Sequence, residues 1–248
     1  MSGHSKWSTI KHKKGVADAR RGALFTKLVK IIEVSARGGA DPTMNFKLKL
    51  AIQKAKASNV PLATIEKAIK KGSGQDKEAS RLEEITYEGL APGNVGVIVE
   101  ALTDNKNRTV SDVRNIFNKA GGTFGTSVAW QFDSRGVLYV NKPTGGTDEL
   151  ELAIIDSGAS DFADSGDTIE VYTEPKLLDK VRTQLESAGY KIEDSEIGLV
   201  PKSKTIISDP TIAKRILNLL DNLEEHDDVS AVYSSLDVPD EIMAKLET

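Results

Sequence analysis

VLYVNKPTGGTDELELAIIDSGASDFADSGDTIEVYTEPKLLDKVRTQLESAGYKIEDSEIGL, residues 137–199, alternates segments of two-residue period with segments of helical period. Val137–Asn141, a short run near Asp161–Ala163, Thr168–Tyr172 and Tyr190–Leu199 read as strands, and Thr147–Ser157 and Pro175–Ala188 as helices. The order is βαββαβ, a complete split-βαβ unit of ferredoxin-like type. Upstream, strands at Ile85–Gly89, Val95–Leu102 and Val128–Phe132 enclose a helix over Thr109–Ala120, opened by a Thr109…Asp112 capping box. Downstream come a strand at Lys204–Ile207, a helix with Asp209 as N-cap and Pro210 at its first position, and a strand at Val229–Leu236. The tail alone cannot bury its apolar face, while the upstream ββαβ segment lacks a second helix and a fourth strand. The two pieces complete each other, so residues 133–204 are expected to form a domain inserted into a discontinuous α/β domain of residues 78–132 and 205–248.

Residues 1–77 have another character. A basic, polar arm over residues 1–21 precedes an amphipathic helix from Ala23 to Arg37, a second from Phe46 to Ala57 and a third from near Pro61 to Gly72. Lys27 and Lys30 point away from the apolar stripe of the first helix, and Gly72-Ser-Gly74 opens the likeliest linker position. The expected fold class is therefore α+β: a helical N-terminal domain plus two ferredoxin-like α/β domains, one inserted in the other.

Charge divides along the same line. Residues 1–75 hold 16 Lys and Arg against four Asp and Glu, or +12, and the rest holds 17 against 33, or −16. A cationic excess over a whole domain points to a polyanion partner, because contact with phosphate releases condensed counterions. Nucleic acid is the expected partner, and a protein partner fits the acidic α/β domains. The chain has no Cys, which removes disulfides and thiolate chemistry. The charged N-terminus shows neither signal peptide nor membrane span, so a cytoplasmic protein without a membrane partner is expected. Asn107-Arg108-Thr109 matches a glycosylation pattern that has no meaning without a secretory route.

The candidate contacts to nucleic acid are Lys6, Trp7, Lys11, His12, Lys13, Lys14, Arg20 and Arg21 in the arm, Lys27, Lys30, Lys67, Lys70 and Lys71 on the helices, and Arg108. Imidazole and indole among lysines suit phosphate contact and base stacking; equally, Trp7 could pack the arm onto the helices. Thr103–Thr109 joins a strand to a helix N-terminus, where Arg108 and backbone N–H groups could hold an anion or simply form a polar turn and cap. Gly121-Gly122-Thr-Phe-Gly125 follows a helix, so Gly121 reads as a C-cap and not as a phosphate loop. Glu224-Glu225-His226-Asp227-Asp228 reads as a solvated turn. No catalytic residue, metal ligand set or cofactor motif is found, and no enzymatic activity is expected.

Several longer motifs carry a family resemblance: Gly3-His-Ser-Lys-Trp7…Ile10-Lys-His-Lys-Lys14, Tyr87-Glu-Gly89…Pro92-Gly93, Thr103-Asp-Asn105…Asn107-Arg-Thr109 with Asp112-Val-Arg114, and Leu223-Glu-Glu225…Asp227-Asp-Val229. Over nearly its whole length the chain resembles the YebC/PmpR family, which includes a mitochondrial translational activator of cytochrome c oxidase. The resemblance implies the three-part fold above and either DNA-binding transcriptional regulation, the leading expectation, or a role in translation through RNA at the ribosome. Asn94, Gln131 and Ser235 depart from the family pattern, where Gly, an apolar residue and Asn are usual.

Overall fold

The computed structural model describes residues 18–75 and 81–246. Three helices, α1 (Asp18–Ser35), α2 (Phe46–Ala57) and α3 (Leu62–Gly72), enclose a small core of Leu28, Ile32, Leu48, Ala55, Val60 and Ile65. Asn45 explains the sharp turn between the first two. Its side chain accepts the Leu48 N–H as the N-cap of α2 and donates to the carbonyls of Ser35 and Gly39, both at 2.8 Å. Gly72 ends α3 against α1, where an added Cβ would lie 1.9 Å from the Glu33 carbonyl oxygen. No larger residue fits there without moving one helix off the other.

The sequence expectation for α1 needs correction at both ends. The helix begins at Asp18 and runs through Gly22, so the last four residues of the expected arm are helical, and it ends at Ser35 before a single turn of 3₁₀ helix, Ala36–Gly38. A helical glycine costs about 1 kcal/mol relative to alanine. The buried Leu28 and Ile32 outweigh that penalty.

Beyond residue 81 the chain forms two four-stranded antiparallel sheets. Strands β1 (Glu83–Ala91), β2 (Val95–Thr103), β3 (Thr123–Phe124) and β9 (Val229–Ser234) lie in the order β3-β1-β2-β9. Strand β9 arrives from the far end of the chain to pair with β2, placing Val232 opposite Val99. On one face lie α4 (Lys106–Ala120) and α7 (Pro210–Glu225), which share a core with the sheet through Val113, Phe117, Ile216, Leu220 and Leu223. Asp209 caps α7 by accepting from Thr211 and Ile212, and Gly121 ends α4 in the left-handed region at φ 74°.

The second sheet comprises β4 (Phe132–Asn141), β5 (Asp161–Ser165), β6 (Thr168–Thr173) and β7 (Ile192–Pro201), ordered β5-β6-β4-β7. That order is the one a split-βαβ unit produces. Helices α5 (Asp148–Asp156) and α6 (Leu178–Ser187) cover it through Leu150, Ile154, Val181 and Leu185. Phe46 and Leu50 of α2 pack against the same cluster, so the helical part is seated on this unit. The fold is α+β, with an N-terminal helical part and two ferredoxin-like units, one inserted in the other.

Three local expectations fail for identifiable reasons, and one element lies outside them. Helix α4 starts at Lys106, not Thr109: Asn105 is the N-cap, accepting the Arg108 N–H at 3.1 Å, while Thr109 turns inward and Asp112 pairs with His226. No capping box forms. Val128–Phe132 is not a strand but leads through a 3₁₀ turn at Ala129–Gln131 into β4, because burial of Val128 and Phe132 satisfies the same alternation. The last strand breaks at Ser235, after which β10 (Leu236–Asp237) pairs in parallel with β8 (Thr205–Ile206). Finally, α8 (Asp240–Leu246) lies beyond every expected element and closes the first core with Ile242 and Met243.

The three departures from the family pattern have structural roles. Asn94 occupies φ 60°, where asparagine is among the few side chains that replace glycine at modest cost. Ser235 is fully buried: its hydroxyl accepts the Gly96 N–H at 2.9 Å and lies 3.1 Å from the Thr205 hydroxyl. Gln131 lies over Gly96, its Oε1 standing 2.7 Å from where a Cβ would be.

Candidate nucleic-acid interface

Lys6, Trp7, Lys11, His12, Lys13 and Lys14 lie outside the described residues. Arg20 and Arg21 fall in the first turn of α1. Lys67 and Lys70 are exposed on α3. The remaining four candidates, Lys27, Lys30, Lys71 and Arg108, contact carboxylates or carbonyls of the protein itself.

Asp228 is the centre of that arrangement. It ends the turn between α7 and β9, and its side chain is only 5% exposed. Lys30 donates to Oδ1 at 2.8 Å and Arg108 to Oδ2 at 2.7 Å. The Thr109 hydroxyl lies 2.9 Å from the same oxygen and that of Thr103 3.2 Å away. Burial alone pushes this carboxyl upward; hydrogen bonds from Lys30, Arg108 and Thr109 outweigh it and hold the group well below the usual carboxylate range. The backbone is tied in as well, since the Asp228 carbonyl accepts the Leu102 N–H at 2.7 Å. His226 Nδ1 accepts the Asp228 N–H at 3.1 Å, which leaves the ring proton on Nε2, facing Asp112 at 3.3 Å.

The expectation of a solvated turn at residues 224–228 is therefore corrected. Glu225 and Asp227 are exposed, but Asp228 is buried and joins α1, α4 and β9. Lys27 completes the contact by donating to the Glu224 carbonyl, and burial pulls its ammonium below the ordinary value. Arg108 is paired within the protein, with Asp228 at 2.7 Å and Asp104 at 3.0 Å, at a turn that Asn105 caps.

Other cations of the helical part also meet acidic residues of the two α/β units. Lys47 pairs with Glu84 at 3.1 Å, Lys49 with Asp179 at 2.9 Å, and Lys54 with Asp194 and Glu196 at 3.2 and 3.1 Å. Lys71 pairs within the helical part, with the buried Glu33 at 3.1 Å. Exposed pairs of this kind contribute about 0–1 kcal/mol each, so they orient the helices more than they hold them. Their larger consequence is electrostatic, because one face of the basic region is neutralised by the chain's own acidic half.

Among the described residues no group of three or more His, Asp or Glu is placed to hold a metal ion, and no helix is long and apolar enough to cross a membrane. A small cleft of about 160 Å³ between α2 and β7 is lined by Lys54, Arg182, Glu193 and Asp194. It is smaller than the roughly 300 Å³ at which ligand pockets begin.

Residues 5–75 match the model of the TACO1/YebC protein N-terminal domain, and residues 82–236 that of the TACO1/YebC second and third domain. Similar curated proteins include the probable transcriptional regulatory proteins of Desulforapulum autotrophicum, 49% identical with 98% of each chain covered, and of Rubrobacter xylanophilus, 49% identical with 99% of each covered. That of Halothermothrix orenii is 46% identical, again with 99% of each covered. The crystal structure of a conserved hypothetical protein from Aquifex aeolicus superimposes with a TM-score of 0.82 at 42% identity, over 91% of this chain and 94% of that one.

Proposed function

The chain belongs to the TACO1/YebC family, and from that premise we propose that it is a regulator of gene expression that binds nucleic acid through the basic residues of its N-terminal segment and first helix. The observation that carries this reading is the division of charge, +12 against −16, together with the use made of it. Lys27, Lys30, Lys47, Lys49 and Lys54 face the protein's own carboxylates and carbonyls. Phosphate contact is assigned to Lys6, Lys11, Lys13, Lys14, Arg20 and Arg21 on the charge of their sequence and to the exposed Lys67 and Lys70, while Trp7 and His12 suit stacking and phosphate contact. The relatives named as probable transcriptional regulators make duplex DNA the first target.

A second reading, RNA contact in translation, is favoured by a specific feature. Helix α2 carries lysines where a recognition helix would carry Arg, Asn or Gln, and three of them pair with carboxylates of the α/β units. Binding by either route is expected to weaken on the order of tenfold or more between about 50 and 200 mM salt and to be indifferent to chelators. A density gradient of cell extract separates the targets. Migration with ribosomal particles, reversed by RNase, assigns the protein to translation; protection of a promoter segment with no ribosomal migration assigns it to transcription. A salt-insensitive complex abolished by EDTA would contradict both.

A further inference from the structure

Trp130 is 70% exposed, and among the described residues no other aromatic side chain is exposed. Its turn is held from three sides. The Glu88 carboxylate on β1 accepts the N–H groups of Val128 and Ala129 at 2.5 and 2.8 Å and the Ser127 hydroxyl at 3.2 Å. The Lys202 N–H donates to the Gln131 carbonyl at 2.8 Å, and its ammonium donates to the Trp130 carbonyl at 2.9 Å. Val128 and Phe132, on either side, are buried with Ile98. The largest side chain of a fixed turn is thus turned into water while Val128 and Phe132, two residues to either side, are buried, an orientation that a packing role does not explain.

The two segments that meet at this turn carry more cations than carboxylates, against the charge of this half of the chain. Residues 126–135 and 200–206 hold Arg135, Lys202 and Lys204 against Asp133, which pairs with Arg135 at 3.3 Å and with Lys202 at 3.5 Å, while Lys204 is exposed, within a part of the sequence whose net charge is −16. Register places the two segments side by side, with Phe132 opposite Pro201. Fixed aromatic surface beside cations is the combination that holds unpaired bases and their phosphates. A duplex keeps its base faces stacked and offers nothing to the indole.

We propose that Trp130, Lys202 and Lys204 form a second contact, specific for single-stranded nucleic acid, in which an unpaired base stacks on the indole and the flanking phosphates meet the two ammoniums. The proposal rests on the nucleic-acid reading above and gives it a strand preference. The whole chain contains two tryptophans. Uniform labelling with 5-fluorotryptophan therefore yields two fluorine resonances, and Trp130→Phe identifies the one from residue 130. Titration with an oligouridylate of about twelve nucleotides, within the usual site size for such contacts, is expected to shift the Trp130 resonance, and a hairpin duplex is not. Trp130→Ala should weaken single-strand binding about tenfold without changing the melting temperature. Trp130→Phe should restore part of that loss, and Lys204→Glu, which leaves the bonds that hold the turn intact, should weaken binding in the same direction.

A Trp130 resonance that stays in place while anisotropy reports oligonucleotide binding overturns the proposal and leaves the preceding reading intact. So does an equal shift with duplex, or a shift produced only by nuclease-treated cell extract, which would assign the turn to a protein partner. Absence of binding to either nucleic acid overturns both readings together.

Discussion

Asp228→Ala is expected to destabilise the whole chain by about 3–5 kcal/mol, the range for removing one partner of a buried ion pair. The carboxylate receives Lys30 from α1 and Arg108 from α4, and its removal takes the shared partner from both cations. Arg108 is half-exposed and recovers water; Lys30 is only 21% exposed and recovers less. Urea denaturation monitored at both sheets and helices measures the change, and a loss below about 1 kcal/mol would contradict the role assigned to Asp228. The pH dependence follows from the direction of its shift. A carboxyl held below its ordinary value in the folded chain contributes fully above the unfolded value, near pH 4, and that contribution is lost as pH falls through the depressed folded value. The gap between parent and Asp228→Ala should therefore be constant at neutral pH and narrow in strong acid.

Replacing Lys11, Lys13, Lys14, Arg20 and Arg21 together by Glu is expected to abolish nucleic-acid binding, weakening it more than a hundredfold at low salt. Each reversal removes a phosphate contact and adds a repelled charge, and the five change the +12 of residues 1–75 to +2. By contrast, Lys49→Glu should alter binding little, since Lys49 faces Asp179. Fluorescence anisotropy with a labelled oligonucleotide measures both. Unchanged affinity in a folded five-residue variant would remove the N-terminal cluster from the account.

The secondary structure was readable wherever period and punctuation agree. Asp209-Pro210 marks the start of α7 and Gly121 the end of α4, and the inserted βαββαβ unit follows from alternation alone. The pairing of β9 with β2 was accessible through the argument that neither fragment could bury its apolar face separately. Side-chain destinations were not accessible in this way. Lys30 lies 198 residues from Asp228, and nothing local to Glu224–Asp228 distinguishes a buried carboxylate from its exposed neighbours. The one available signal was that Asp228 directly precedes the apolar strand Val229–Ser234. Trp130 escaped notice because Val128 and Phe132, two residues to either side, gave the alternation of a strand, which concealed a turn. The charge excess of residues 1–75 was plain, yet which of its lysines meet the protein's own acidic half depends on tertiary placement.

The most direct test of the central claim is ultraviolet crosslinking of the full chain in living cells, with sequencing of the bound nucleic acid and mass spectrometry of the crosslinked peptides. Recovery of nucleic acid attached mainly to peptides within residues 5–21, with none at Lys49 or Lys54, is the result the account predicts. Crosslinks confined to the acidic sheets away from Trp130, or no recovered nucleic acid at all, would contradict it.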